Sequence, residues 1–64
     1  MEITNSQLKT YNWYLKNSDW FKTEKVSFLN GKGIFIIMCE DIVYKINRRG
    51  ALTSTSLKKY EKNE

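Results

Sequence analysis

The chain has 64 residues, a net charge of +4 and a pI near 9.3, with 41% hydrophobic and 14% aromatic residues. That length admits one domain, residues 1–64, near the lower limit for folding without a staple, and the apolar and aromatic share excludes a disordered chain. Histidine is absent and Cys39 is the one cysteine, so an internal disulfide is excluded, a zinc site lacks its usual ligands and the commonest acid–base partner is missing.

No cofactor, no metal and no catalytic residue are therefore expected, and the chain does not read as an enzyme. The first residues, "MEITNSQ", hold no cationic segment followed by an apolar run, and "IFIIMC" is too short to span a bilayer. A soluble protein of the reducing cytoplasm, without membrane contact, is the expectation. The abundance of Lys, Asn and Ile is associated with AT-rich coding sequence, as in low-GC bacteria, their phages and mobile elements.

In chain order, "ITNSQL" opens with Thr4 as N-cap and Gln7 three residues on, a capping box, with Ile3 and Leu8 placed for a hydrophobic staple. A helix is predicted from Asn5 to about Lys16, with Leu8, Tyr11, Tyr14 and Leu15 on one face and a stop near Asn17, which tolerates a left-handed conformation. Trp13 falls about 140° from Leu8, outside that face, between Lys9 and Lys16. "NSDWF" is a connector in which Trp20 and Phe21 cap the core.

Three strands follow. Val26 and Phe28 alternate with Lys25 and Ser27, and "NGKG" predicts a hairpin turn, because Asn and Gly both accept positive φ. Ile34 to Cys39 is unbroken apolar, a strand covered on both faces. After a turn at Glu40 and Asp41, Ile42, Tyr44 and Ile46 alternate with Val43, Lys45 and Asn47, a strand with one buried face that ends near Gly50. The strands pair as an antiparallel meander, with the lysine-bearing first and third strands at its edges.

Residues 51–64 form a tail, either a short helix started by Ser54 or Thr55 or an extra strand through Leu52, expected to dock loosely. This tail, or a second copy of the chain, must cover the face of the sheet that the first helix leaves open. The fold class is thus α+β, an N-terminal helix packed on a three-stranded antiparallel meander with a short C-terminal helix or extra strand. The order is similar to that of double-stranded-RNA-binding domains; the likeness ends at element order, since their glycine-punctuated third-strand exit is missing, and no residue is carried over.

The meander itself makes one geometric prediction. Its first turn and the far end of its third strand share one end of the sheet, so Lys32 in "NGKG" should lie near Arg48 and Arg49 in "NRRG". Glu40 and Asp41 belong at the other end, giving a cationic tip and an anionic tip. The tip reads either as a solvated basic turn or as a site for phosphates or a partner's carboxylates. Trp13 either packs on the connector or the tail, or stands as an exposed anchor between Lys9 and Lys16. Cys39, inside "FIIMCE", reads as a buried structural thiol.

The binding residues expected are therefore Lys32, Arg48, Arg49, Lys9, Trp13 and Lys16. The leading function is a small regulatory protein that docks an anionic macromolecule, nucleic acid first, through the cationic tip. The alternative is an inhibitor, of the kind phages and mobile elements encode, that blocks a host enzyme handling nucleic acid by protein–protein contact. Homodimerisation without other function comes third.

Overall fold

In the computed structural model, residues 2–62 are described. The order is α1 (Asn5–Asn17), β1 (Val26–Leu29), β2 (Phe35–Met38), β3 (Ile42–Ile46), β4 (Leu52–Ser56) and α2 (Leu57–Lys62). The strands form one antiparallel sheet in the order β1-β2-β3-β4. The chain is α+β, with a helix before the sheet and a short one after it. Both readings of the tail are realised in succession: residues 52–56 add a fourth strand and residues 57–62 make the helix, while the last two residues of the tail lie outside the described range.

This fourth strand has two consequences. It pairs with β3 along its whole length, Ile46 opposite Leu52 through Ile42 opposite Ser56, so this part of the tail is integral to the sheet. It also makes β3 an interior strand rather than an edge, and separates the order from that of double-stranded-RNA-binding domains.

The N-terminal signal of α1 holds as written. The Thr4 hydroxyl accepts from the Gln7 backbone N–H (3.1 Å), and the Gln7 side-chain oxygen accepts from the Thr4 N–H (2.8 Å). Its buried face differs from the expected one. Gln7 is 0% exposed and shares a stripe with Tyr11 and Tyr14, whereas Leu8 and Leu15 face outward. The capping box fixes Gln7 at the sheet end, and one residue further on lies about 100° round the helix, which turns Leu8 and its i+7 neighbour Leu15 away.

The helix stop also differs. Asn17 is not left-handed; Ser18 is the cap, in extended conformation at φ −146°, and both its N–H (3.1 Å) and its hydroxyl (2.7 Å) donate to Tyr14 O. Among the described residues, positive φ is confined to Gly33 (83°) and Gly50 (94°). The "NGKG" turn thus lies where expected but for another reason, since its left-handed residue is Gly33 and not the Asn30–Gly31 pair.

The first layer of the core lies between α1 and the sheet. Phe21, Ile37, Cys39, Tyr44 and Ile46 are buried there, with Tyr11, Tyr14, Phe35 and Leu52 packed around them. Tyr11 stacks on Phe21 (centroids 5.6 Å) and meets Phe35 edge-on (5.4 Å). On the opposite face Ile36 and Val43 are fully buried, so β3 is not one-sided; α2 packs on β3 and β4 there. The six residues of α2 pack mainly on β3 and β4, and Val26 and Phe28 of β1 stay exposed.

Candidate functional site

The tip of the sheet is assembled by one side chain. The turns Asn30–Gly33 and Asn47–Gly50 both lie at this end, because β2 and β3 are neighbours with Phe35 opposite Ile46. The Gln7 amide donates to Gly33 O (2.7 Å) and to Ile46 O (3.0 Å), tying the two turns to each other and to α1. A buried polar group is stable only when its bonds are made, and here all four Gln7 amide and cap bonds are. The Thr4 hydroxyl donates to Arg48 O (3.0 Å), and the Thr10 hydroxyl lies 2.7 Å from Gly50 O and 3.0 Å from Ser6 O.

On the α1 side this network opens into a groove of about 430 Å³ lined by Lys9, Thr10, Trp13, Tyr14, Gly50 and Leu52. Trp13 is 56% exposed and its ring meets Tyr14 at 79°, centroids 4.9 Å apart, leaving a broad ring surface open to solvent. Leu52, from the tail, forms the opposite wall. The groove therefore joins Lys9 and Trp13 to the turn that carries Arg48 and Arg49. Gly50 is the residue of that turn that lines the groove, and Arg48 meets α1 through its backbone carbonyl at Thr4. Lys16, exposed in the last turn of α1, extends the same helix side.

Lys32 sits on the adjoining turn but opens to the other face. It lines a hollow of about 240 Å³ with Asn30, Ile34, Ile36, Lys45, Thr55 and Tyr60. Lys45 is half-buried there, its Nζ 5.8 Å from the centre of the Tyr60 ring, a cation–π contact that holds the ammonium over the sheet. Sequence alternation treats Lys45 as a solvated position; no local signal separates it from other strand lysines. Among the described residues the ion pair formed is Lys22 with Asp19 (3.1 Å), and Lys9, Lys16, Lys32, Lys45, Arg48 and Arg49 have no carboxylate in salt-bridge contact.

At the opposite end Cys39 N donates to Ile42 O (2.9 Å) across the Glu40–Asp41 turn, and Glu40 N donates to Thr23 Oγ1 (3.3 Å). Cys39 is buried with its Sγ 3.7 Å from Trp20 O. Burial pushes its thiol above the ordinary 9.0, and nearby Glu24 adds to that, against a smaller lowering by a hydrogen bond with Thr23. A buried thiol whose proton is held this way suits a packing role. Burial likewise raises Tyr11, helped by the 2.9 Å bond it donates to Glu24, and Tyr44.

Phe21 caps the core as expected, whereas Trp20 is 47% exposed and lies nearly parallel to two tyrosines, Tyr14 at 4.7 Å and Tyr44 at 5.7 Å. No helix among the described residues is long and apolar enough to cross a membrane. No protein-family model, no curated protein and no solved structure matches the chain.

Proposed function

We propose that the chain is a non-catalytic docking protein for single-stranded nucleic acid, with the sheet tip as its contact. The observation that carries this reading is the groove in which Lys9 and Trp13 meet Gly50, the last residue of the turn that also holds Arg48 and Arg49. Lys32 and Lys45 continue the positive charge over the tip to the α2 face. Exposed guanidinium and ammonium groups without carboxylate partners among the described residues suit phosphates, and a solvent-facing tryptophan on the same helix as Lys9 offers a stacking surface for a base. Glu2, two residues before Thr4, brings one negative charge close in sequence to the residue that holds Arg48 O.

Filter binding of the intact protein to a single-stranded oligonucleotide across a salt series tests this. Contact with about four phosphates gives a log K against log salt slope of roughly −3. Trp13→Ala should weaken binding about tenfold with little change in slope, because stacking is uncharged. Arg48→Ala with Arg49→Ala should flatten the slope by about 1.4. No binding at low salt removes the proposal. A second reading, contact with a protein partner, rests on a different feature, the unpaired edge of β4.

A further inference from the structure

β4 is an outer strand, and its bonding pattern can be read from its ends. Asn47 N donates to Ala51 O (3.0 Å) and Leu57 N donates to Asp41 O (2.9 Å), so these pairs bracket the ladder. Antiparallel pairs alternate between bonded and non-bonded. Thr53 and Thr55 therefore bond to Lys45 and Val43, while the N–H and C=O of Leu52 and Ser54 point away from β3. Exposed edges are usually blunted by charge, proline or a bulge, and "LTSTS" has no charge and no proline.

Beside this edge, on the α1 face, lies a hollow of about 240 Å³ lined by Tyr14, Trp20, Tyr44, Leu52, Thr53 and Ser54. Trp20, stacked with Tyr14 and Tyr44, is a large, half-exposed apolar wall held in one orientation. Open backbone donors and acceptors next to a side-chain hollow are the two parts that strand addition requires: main-chain bonds for affinity, a recess for alternate side chains. A phosphodiester chain has no N–H and C=O groups to match that edge.

Charge selects the occupant. Arg48 and Arg49 precede β4, Lys58 and Lys59 follow it, and Lys9 on α1 lines a groove with Leu52 of β4, while Asp41 and Glu61 offset part of the charge at the second end. A second copy is a poor fit: a two-fold centred on Ser54 brings the Arg48–Arg49 turn of each copy toward Lys58 and Lys59 of the other. We propose that the β4 edge is a strand-addition site for an extended, acid-flanked segment of a partner protein, its alternate apolar side chains resting on Trp20.

The probe is a synthetic ten-residue peptide with a central Val-Thr alternation and two glutamates at each end, tested on the full chain. Amide exchange at Leu52 and Ser54 should slow at least tenfold, with Thr53 and Thr55 unchanged, and Trp20 fluorescence should shift in a Trp13→Phe background. Lysines in place of the glutamates should weaken binding at least tenfold. Ser54→Pro should abolish binding while leaving oligonucleotide binding intact, since the lost N–H makes no bond to β3. Methylating the peptide's own edge-facing nitrogens should abolish it too, with no change to the protein. The proposal is overturned if acidic and basic peptides bind alike, if the methylated peptide binds as well as its parent, if no peptide binds at millimolar concentration, or if Leu52 and Ser54 are protected by an oligonucleotide or by raising the protein's own concentration.

Discussion

The turns Asn30–Gly33 and Asn47–Gly50 are wired alike and surrounded differently. In each, the glycine N–H donates to the asparagine carbonyl (3.1 and 2.9 Å), and the asparagine N–H donates to the carbonyl four residues on (3.0 Å in both). In each, the asparagine side-chain oxygen accepts two backbone N–H bonds, at 2.9 and 3.0 Å. This is the three-residue hairpin with a closing left-handed glycine. The first turn is held from outside by Gln7 at Gly33 O, whereas the second lies under α1, held by Thr4 at Arg48 O and Thr10 at Gly50 O. Internal wiring alone fixes a hairpin; the bonds to the helix and its cap differ, one at the first turn and two at the second, and the arginines sit on the second.

The largest expected effect comes from the residue the two turns share. Gln7→Ala withdraws both donors from Gly33 O and Ile46 O and deletes half of the capping box, which should cost about 3 kcal/mol in urea unfolding. Gln7→Glu should be at least as damaging at neutral pH, since a carboxylate cannot donate to either carbonyl. Its stability should rise as pH falls, because the protonated acid regains one donor. A flat pH profile for that variant would show that the amide does not bridge the turns.

Next comes Gly50→Ala. At φ 94° an L side chain is strained, and the added Cβ would stand 3.0 Å from Ser6 O and from Thr10 Oγ1, both on α1. The expected loss is about 2 kcal/mol, seen as a thermal midpoint about 10 °C lower. The asparagines should be less sensitive and, unlike the glycines, equivalent. Asn30→Ala and Asn47→Ala each remove two side-chain bonds to backbone N–H groups, all exposed but the part-buried one at Ile34, and should each cost about 1 kcal/mol. Unequal losses would mean that packing against α1, not the internal bonds, holds the second turn in shape.

The same contrast explains what was legible in the sequence. Capping box, alternation and Asn/Gly punctuation are local signals, and they located α1, the meander and the shared end of the two turns. Gln7 was legible as a cap but not as a bridge, because its second role depends on carbonyls 26 and 39 residues away. "LTSTS" carries no apolar alternation, so its pairing with β3 comes from the turn before it rather than from its own pattern. The groove at Trp13 needed that strand, since Leu52 is one of its walls. Lys32 opens to the opposite face for a related reason: adjacency of turns along the sheet says nothing about which face each side chain takes.

The smallest effect tests the likeness itself. Gly31 and Arg48 occupy the same place in the two turns, directly after the asparagine. Arg48 holds that place with a full side chain and without positive φ, and a Cβ built on Gly31 meets nothing within 4 Å. Gly31 is therefore glycine without conformational need, and its freedom serves only the unfolded chain. Gly31→Ala should stabilise the protein by about 0.5 kcal/mol, raising the thermal midpoint by about 3 °C. Its sign is opposite to that of Gly50→Ala, two positions later in the matching turn. Should Gly31→Ala destabilise, the first turn is not built like the second, and the equivalence of the asparagines falls with it.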